Sequence, residues 1–152
     1  MKPTSGLTLF ELIIVLGIIA IVTTGIFVSM RGNEQRALEN ASLALQADIR
    51  YAQRRAIMEG RRIGINFSPA NNSYSIMTQR PTTTIRTVYL QSGVVLVETS
   101  HDQLMFLPRG TASSAFRITL RNDAYWQRIT ATLSGGQVRI HDITREALWN
   151  LE

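Results

Sequence analysis

Residues 12–30 carry no charge and are nearly all apolar, and one carboxylate, Glu11, stands directly before them. As an α-helix these nineteen residues extend about 28 Å, against a bilayer core about 30 Å thick. A run of this kind at the start of a chain has three readings: a cleaved secretory signal, an ordinary signal anchor, or a more specialised segment. A secretory signal has an apolar stretch of about 7–15 residues followed by a small-x-small site. Here the run is longer, and no convincing site of that kind precedes Arg31. An anchor explains the length and leaves Glu11 unexplained, since a carboxylate at the edge of an apolar span is costly unless neutralised or paired.

Composition narrows the chemistry. With 152 residues the chain has room for one modest core, and 45% apolar against 18% charged residues argues against disorder. Sixteen basic residues against eleven acidic ones give a formal charge of +5, and Lys2 is the one lysine among the sixteen. Beyond Lys2 there is no amine for Schiff-base chemistry or for a lysine-dependent phosphate loop. Cysteine is absent, so thiol catalysis, disulfides and thiolate metal sites are excluded, and two histidines are few for a histidine-rich metal site. No cofactor is expected.

The residues around Glu11 decide between the three readings. Ser5-Gly6-Leu7-Thr8-Leu9-Phe10-Glu11 resembles the processing site of type IV prepilins and pseudopilins. The resemblance implies cleavage by a prepilin peptidase between Gly6 and Leu7, N-methylation of Leu7, and an assembly role for Glu11. It also implies a Phe as the commonest new terminus, from which Leu7 departs. Leu7 and Glu11 lie about 6 Å apart along one helix, so the amine of a neighbouring subunit comes within reach of this carboxylate in a helical bundle. In a low-dielectric setting such a pair fixes register. The plainer reading of Glu11 is a side chain that snorkels to the membrane surface.

Beyond the apolar run, Leu38, Ala41, Leu45, Ile49, Ala52 and Ala56 recur at helical spacing, and no proline stands between Leu7 and Gly60. The pattern predicts one long helix whose first half is apolar and whose second half is amphipathic, stopped at Gly60. The expected divisions are a leader at 1–6, a membrane and assembly half at 7–30, an amphipathic half at 31–60 and a β-rich domain at 61–152. After Gly60 the period becomes two. Ile63, Ile65 and Phe67 alternate with polar or small residues, residues 69–72 are turn chemistry, and strand-like runs follow within 84–98, broken at 91–93. Further strands are expected at 104–106, 116–121, 128–133 and around Val138 and Ile140, with turns at 108–110 and 134–136. Residues 142–152 read as a short helix or a loose tail. The fold expected is α+β: a long N-terminal helix packed on antiparallel sheets.

This layout resembles the minor pilins and pseudopilins of the type II secretion H and FimT-like class. The resemblance rests on the helix end at 54–60, on Phe-x-Pro-x-Gly at 106–110 and on Ile-Thr-Ala-Thr-x-Ser-Gly-Gly-x-Val-Arg at 129–139. It implies a structural subunit rather than an enzyme. Its implied partners are a prepilin peptidase, other major and minor pilins or pseudopilins, and an inner-membrane assembly platform. The place implied is the bacterial cytoplasmic membrane, with the N-terminus inside and the globular domain outside the cytoplasm, and then a pilus or pseudopilus. Some members of the class bind DNA during uptake.

Enzymatic constellations are weak. Ser134 lacks the glycine two residues earlier that a nucleophile elbow needs, and in His101-Asp102 and His141-Asp142 adjacent side chains point to opposite faces of a strand. Asp123 and Asp142 stand apart, unlike a calcium loop. Two basic clusters remain. Arg50, Arg54, Arg55, Arg61 and Arg62 read as a solvated helix end, where cations offset the terminal carbonyls. Arg117, Arg121, Arg128 and Arg139 share the non-apolar phase of their strands with Thr119, Thr130 and Thr132. If those strands are neighbours, one face presents guanidinium forks suited to phosphate, so a DNA-binding pilin is the alternative function. Against it, residues 140–152 hold a single arginine, Arg145.

Overall fold

The structure is a computed structural model and describes residues 9–79, 81–91, 93–132 and 137–145, the side chains of 23–32 excepted. Gly6, Leu7, the turn at 134–136 and the end of the tail lie outside the described residues. One helix, α1, runs Leu9–Glu59. The chain divides into two units, Met1–Asn33 and Glu34–Glu152. In the first, the large apolar side chains of residues 9–22 are exposed, with Leu9, Phe10 and Ile21 each more than 70% accessible. Among the described residues no helix is long and apolar enough to cross a membrane, and the side chains of residues 23–30 of the apolar run are not among those described.

In the second unit the expected stripe is the buried face of α1. Leu38, Leu45, Ile49, Ala52 and Ala56 are fully covered and Ala41 nearly so. The helix stops where the chain turns left-handed at Gly60, φ +60°, a conformation glycine adopts without a Cβ penalty.

Nine strands follow among the described residues: β1 Ile63–Ser68, β2 Ser73–Gln79, β3 Thr82–Tyr89, β4 Val95–Thr99, β5 Gln103–Phe106, β6 Phe116–Arg121, β7 Tyr125–Ala131, β8 Val138–Ile140 and β9 Thr144–Arg145. They form two antiparallel sheets. The first has the order β3-β2-β1-β5 and the second β4-β6-β7-β8, with β9 also paired to β7. The core joins the helix stripe to Ile63, Ile65, Phe67, Tyr74, Ile76, Leu104 and Phe106 of the first sheet, and to Leu96, Phe116, Ile118, Leu120, Ile129 and Ala131 of the second. Phe67 stacks on Phe116 at 5.0 Å between ring centroids, which links the two sheets through the core.

Two sequence expectations are corrected. The strand expected to begin at Arg128 begins at Tyr125. Asn122 makes the turn before it: its Oδ1 accepts the amides of Ala124 and Tyr125 at 3.1 and 2.8 Å, while its Nδ2 donates to the Glu34 carbonyl at 2.7 Å. The second concerns the tail, read as helix or loose chain. Thr144 and Arg145 instead pair with Trp126 and Tyr125 and extend the second sheet.

Candidate functional site: the arginine and threonine face of the second sheet

Register places the four C-terminal arginines together. Arg117 is opposite Thr130, Thr119 opposite Arg128, and Arg121 opposite Trp126 in the β6–β7 pair, while Thr130 is opposite Arg139 in β7–β8. Directly opposed residues share a sheet face. The face away from α1 therefore carries a row of Arg117, Thr130 and Arg139, a row of Thr119 and Arg128, and a row of Arg121 and Trp126. On β4, Val95 faces Arg121, and Glu98, opposite Thr119, adds the one carboxylate paired into these rows. The complementary phase, Phe116, Ile118, Leu120, Ile129 and Ala131, is in the core.

The arginines are not equivalent. Arg117, Arg121 and Arg139 are exposed, whereas Arg128 is half-buried, with its guanidinium carbon 5.0 Å from the centroid of the Trp126 ring. The side chains of Arg117 and Arg139 have no ion pair or hydrogen bond among the described residues. Thr119 is buried and its Oγ1 has no hydrogen-bond partner there, nor has the buried Nε of Arg128. Thr130 Oγ1 lies 3.1 Å from His141 Nε2. Trp126, 5% exposed on the face that alternation assigns to solvent, escaped the sequence reading. The signal available was its place two residues before Arg128, which makes the two same-face neighbours along one strand.

The histidines are engaged locally. His101 Nδ1 lies 3.2 Å from Ser100 Oγ and its ring stacks on Phe116, while His141 meets Thr130. Ser134 lies outside the described residues. Among the described residues no three acidic or histidine side chains group as a metal site would require.

Two arginines of the first basic cluster are tied to one acid. Glu59 Oε1 accepts from Arg55 Nε at 2.5 Å and Oε2 from Arg61 Nε at 2.6 Å. Arg55 also donates to the Tyr51 hydroxyl at 2.7 Å. The hydrogen bond from Arg55, reinforced by Arg61, holds the Glu59 carboxyl below its ordinary range. Farther along the helix, Tyr74 Oη donates to Asp48 at 2.7 Å, and Arg86 pairs with the same carboxylate.

Comparison with known proteins follows these lines. Residues 41–142 match the family described as type II transport protein GspH, and residues 1–27 match the prokaryotic N-terminal methylation motif. The fold is similar to that of the minor pseudopilin EpsH from the type 2 secretion system of Vibrio cholerae. That likeness has a TM-score of 0.59 at 14% identity and covers 68% of this chain and 95% of that one. It is also similar to the type IV minor pilin FimU of Pseudomonas aeruginosa. The TM-score there is 0.60 at 15% identity, over 72% of this chain and 91% of that one. No curated protein sequence matches the chain. At such identities the structures speak to fold alone.

Proposed function

Because the chain belongs to the GspH family of type II transport proteins, we propose that it is a minor pseudopilin or minor pilin that enters its filament through the N-terminal helix after prepilin peptidase cleavage. The observation that carries this is the match of residues 1–27 to the methylation motif, in front of a helix whose apolar side chains at 9–22 are bare. A helix that is apolar all round requires lipid or other helices around it. In this reading the peptidase cuts between Gly6 and Leu7, Leu7 is N-methylated, and Glu11 accepts the amine of a neighbouring subunit. Residues 7–30 hold the precursor in the cytoplasmic membrane with the globular domain outside, and an assembly platform then draws it into the filament.

Mass spectrometry of the chain recovered from cells containing the peptidase tests this. A mature species beginning at methylated Leu7 supports the reading, and a full-length chain that still begins at Met1 overturns it. Glu11→Val should leave cleavage intact and remove the chain from sheared filaments.

The second reading, a DNA-binding pilin serving uptake, is favoured by the register that gathers Arg117, Arg121, Arg128 and Arg139 on one face. Arginine forks on a flat surface fit backbone phosphates, and such binding weakens with salt. A shift titration of the full chain in detergent at low salt tests it. Binding lost on Arg117→Gln with Arg139→Gln supports the receptor, and no shift on DNA at low salt removes it.

A further inference from the structure

The arginines at the end of α1 divide into two groups. Both oxygens of Glu59 are already occupied, one by Arg55 and one by Arg61. Among the described residues Arg62 has only the Gln79 amide oxygen at 3.4 Å, and the exposed Arg109 has no partner. Beside them lies a cleft of about 370 Å³ lined by Gly60, Arg61, Arg62, Gln79 and Pro108, with Arg109 next in the chain.

The walls of this cleft are fixed. The Gln79 amide donates to the Arg62 carbonyl at 3.2 Å, closing the β1–β2 ladder. The turn carrying Pro108 and Arg109 is closed by the Gly110 amide donating to the Leu107 carbonyl at 2.8 Å. It is pinned to α1 by Gln53 Nε2, which donates to the Gly110 carbonyl at 2.7 Å. The fixed backbone walls lose little on ordering when a ligand enters, while the exposed Arg62 and Arg109 side chains give up rotamer freedom.

We infer that this cleft is a docking pocket for a carboxylate-bearing surface segment of the adjacent filament subunit, with Arg62 in its wall as the anchor and Arg109, one residue beyond the wall residue Pro108, as a second cation beside it. Charge complementarity carries the choice of occupant. The local acid is used up, the surplus guanidinium donors favour bidentate carboxylate partners, and the volume exceeds what a single small anion fills. The inference rests on the filament reading above and adds the chemistry of one contact within it.

Two measurements test it. Fluorescein-labelled octaglutamate is titrated into the full chain in detergent at low salt. Binding should weaken at least tenfold in the Arg62→Gln, Arg109→Gln double variant and less than twofold in Arg117→Gln, Arg139→Gln. No binding by the unaltered chain overturns the inference, as does equal loss in both double variants, which marks diffuse charge. Displacement by inorganic phosphate at the same charge concentration also overturns it, since that marks a simple anion site. In cells, Arg62→Glu with Arg109→Glu should leave leader removal unchanged and lower recovery in sheared filaments at least fivefold. If the unaltered chain is recovered and the reversed chain is recovered equally, the pocket is wrong and the filament reading stands. If the unaltered chain is never recovered, the filament reading itself fails.

Discussion

Asn72 uses its side chain as a stretch of β-strand against Leu96: its Oδ1 accepts the Leu96 amide at 2.9 Å, and its Nδ2 donates to the Val94 carbonyl at 2.7 Å. The residue sits in the left-handed region, φ +47°, where the chain leaves a 3₁₀ turn and enters β2. One carboxamide therefore joins the β1–β2 turn of the first sheet to the outer edge of β4 in the second. Val94 and Leu96 are almost wholly buried, so water does not replace these bonds easily.

Asn72→Ala should destabilise the domain by about 2–4 kcal/mol, through two orphaned backbone groups and the loss of asparagine's tolerance of the left-handed region. Asn72→Gly keeps the backbone freedom and loses the clamp, at a cost of about 1–2 kcal/mol. Urea denaturation of the three proteins checks the order. Native-like stability of both the alanine and the glycine forms would show that the clamp contributes nothing.

Tyr74 ties β2 to α1 through Asp48, and burial first, then the hydrogen bond to that carboxylate, pushes the Tyr74 hydroxyl well above the usual tyrosine value. The folded state holds this proton more tightly than the unfolded state does. Its contribution is therefore complete below pH about 10 and declines as pH rises beyond that. Tyr74→Phe should cost about 1 kcal/mol at pH 8 from the lost hydrogen bond and flatten the alkaline decline. Chemical denaturation at pH 8 and pH 11 reads both effects. A native protein and a variant with the same alkaline slope would contradict the assignment.

The parts of this fold that follow a period were legible in the sequence. The stripe from Leu38 to Ala56, the alternation at Ile63, Ile65 and Phe67, and the phase shared by Arg117, Arg121, Arg128 and Arg139 all emerge where they were expected. What escaped is held by single contacts across distance. The start of β7 depends on Asn122 folding back on three backbone groups, one of them Glu34, and β9 forms only because Tyr125 and Trp126 offer it an edge. A window of ten residues around Asn122 holds the Ala124 and Tyr125 amides but not Glu34, and one around Thr144 holds neither Tyr125 nor Trp126. The same holds for the helix-end arginines: the sequence reads as a net positive terminus, but the saturation of Glu59, the surplus at Arg62 and the nearness of Arg109 from the turn after β5 need coordinates.

Gly110 is required by both conformation and space. Its φ is +82°, and a Cβ built there meets Ile57 Cδ1 at 2.7 Å. Gly110→Ala should destabilise by about 1–3 kcal/mol. Since the clash is with the flexible end of Ile57, Ile57→Val in the same chain should recover only the steric share and leave the backbone strain. A thermal melt of the single and double variants separates the two. Full recovery in the double variant would show that the left-handed backbone costs nothing at this turn.

Leu45 and Leu43 are two residues apart on α1 and meet different surroundings. Leu45 is fully covered among core side chains, and Leu43 is 49% exposed on the opposite side of the stripe. Truncating Leu45 removes its transfer energy and leaves a cavity between the helix and the sheets, so Leu45→Ala should cost about 2–5 kcal/mol. Leu43→Ala changes a surface position, and its effect on domain stability should stay within about 0.5 kcal/mol. Guanidinium denaturation of the two variants measures the contrast. In the filament reading the ranking reverses in a second assay: Leu43→Ala, harmless to the folded domain, exposes any packing of this helix face against a neighbour as a loss of recovery in sheared filaments. Comparable losses of domain stability in both variants would mean that the helix is rotated from the orientation described, because only a different buried stripe makes the two leucines equivalent.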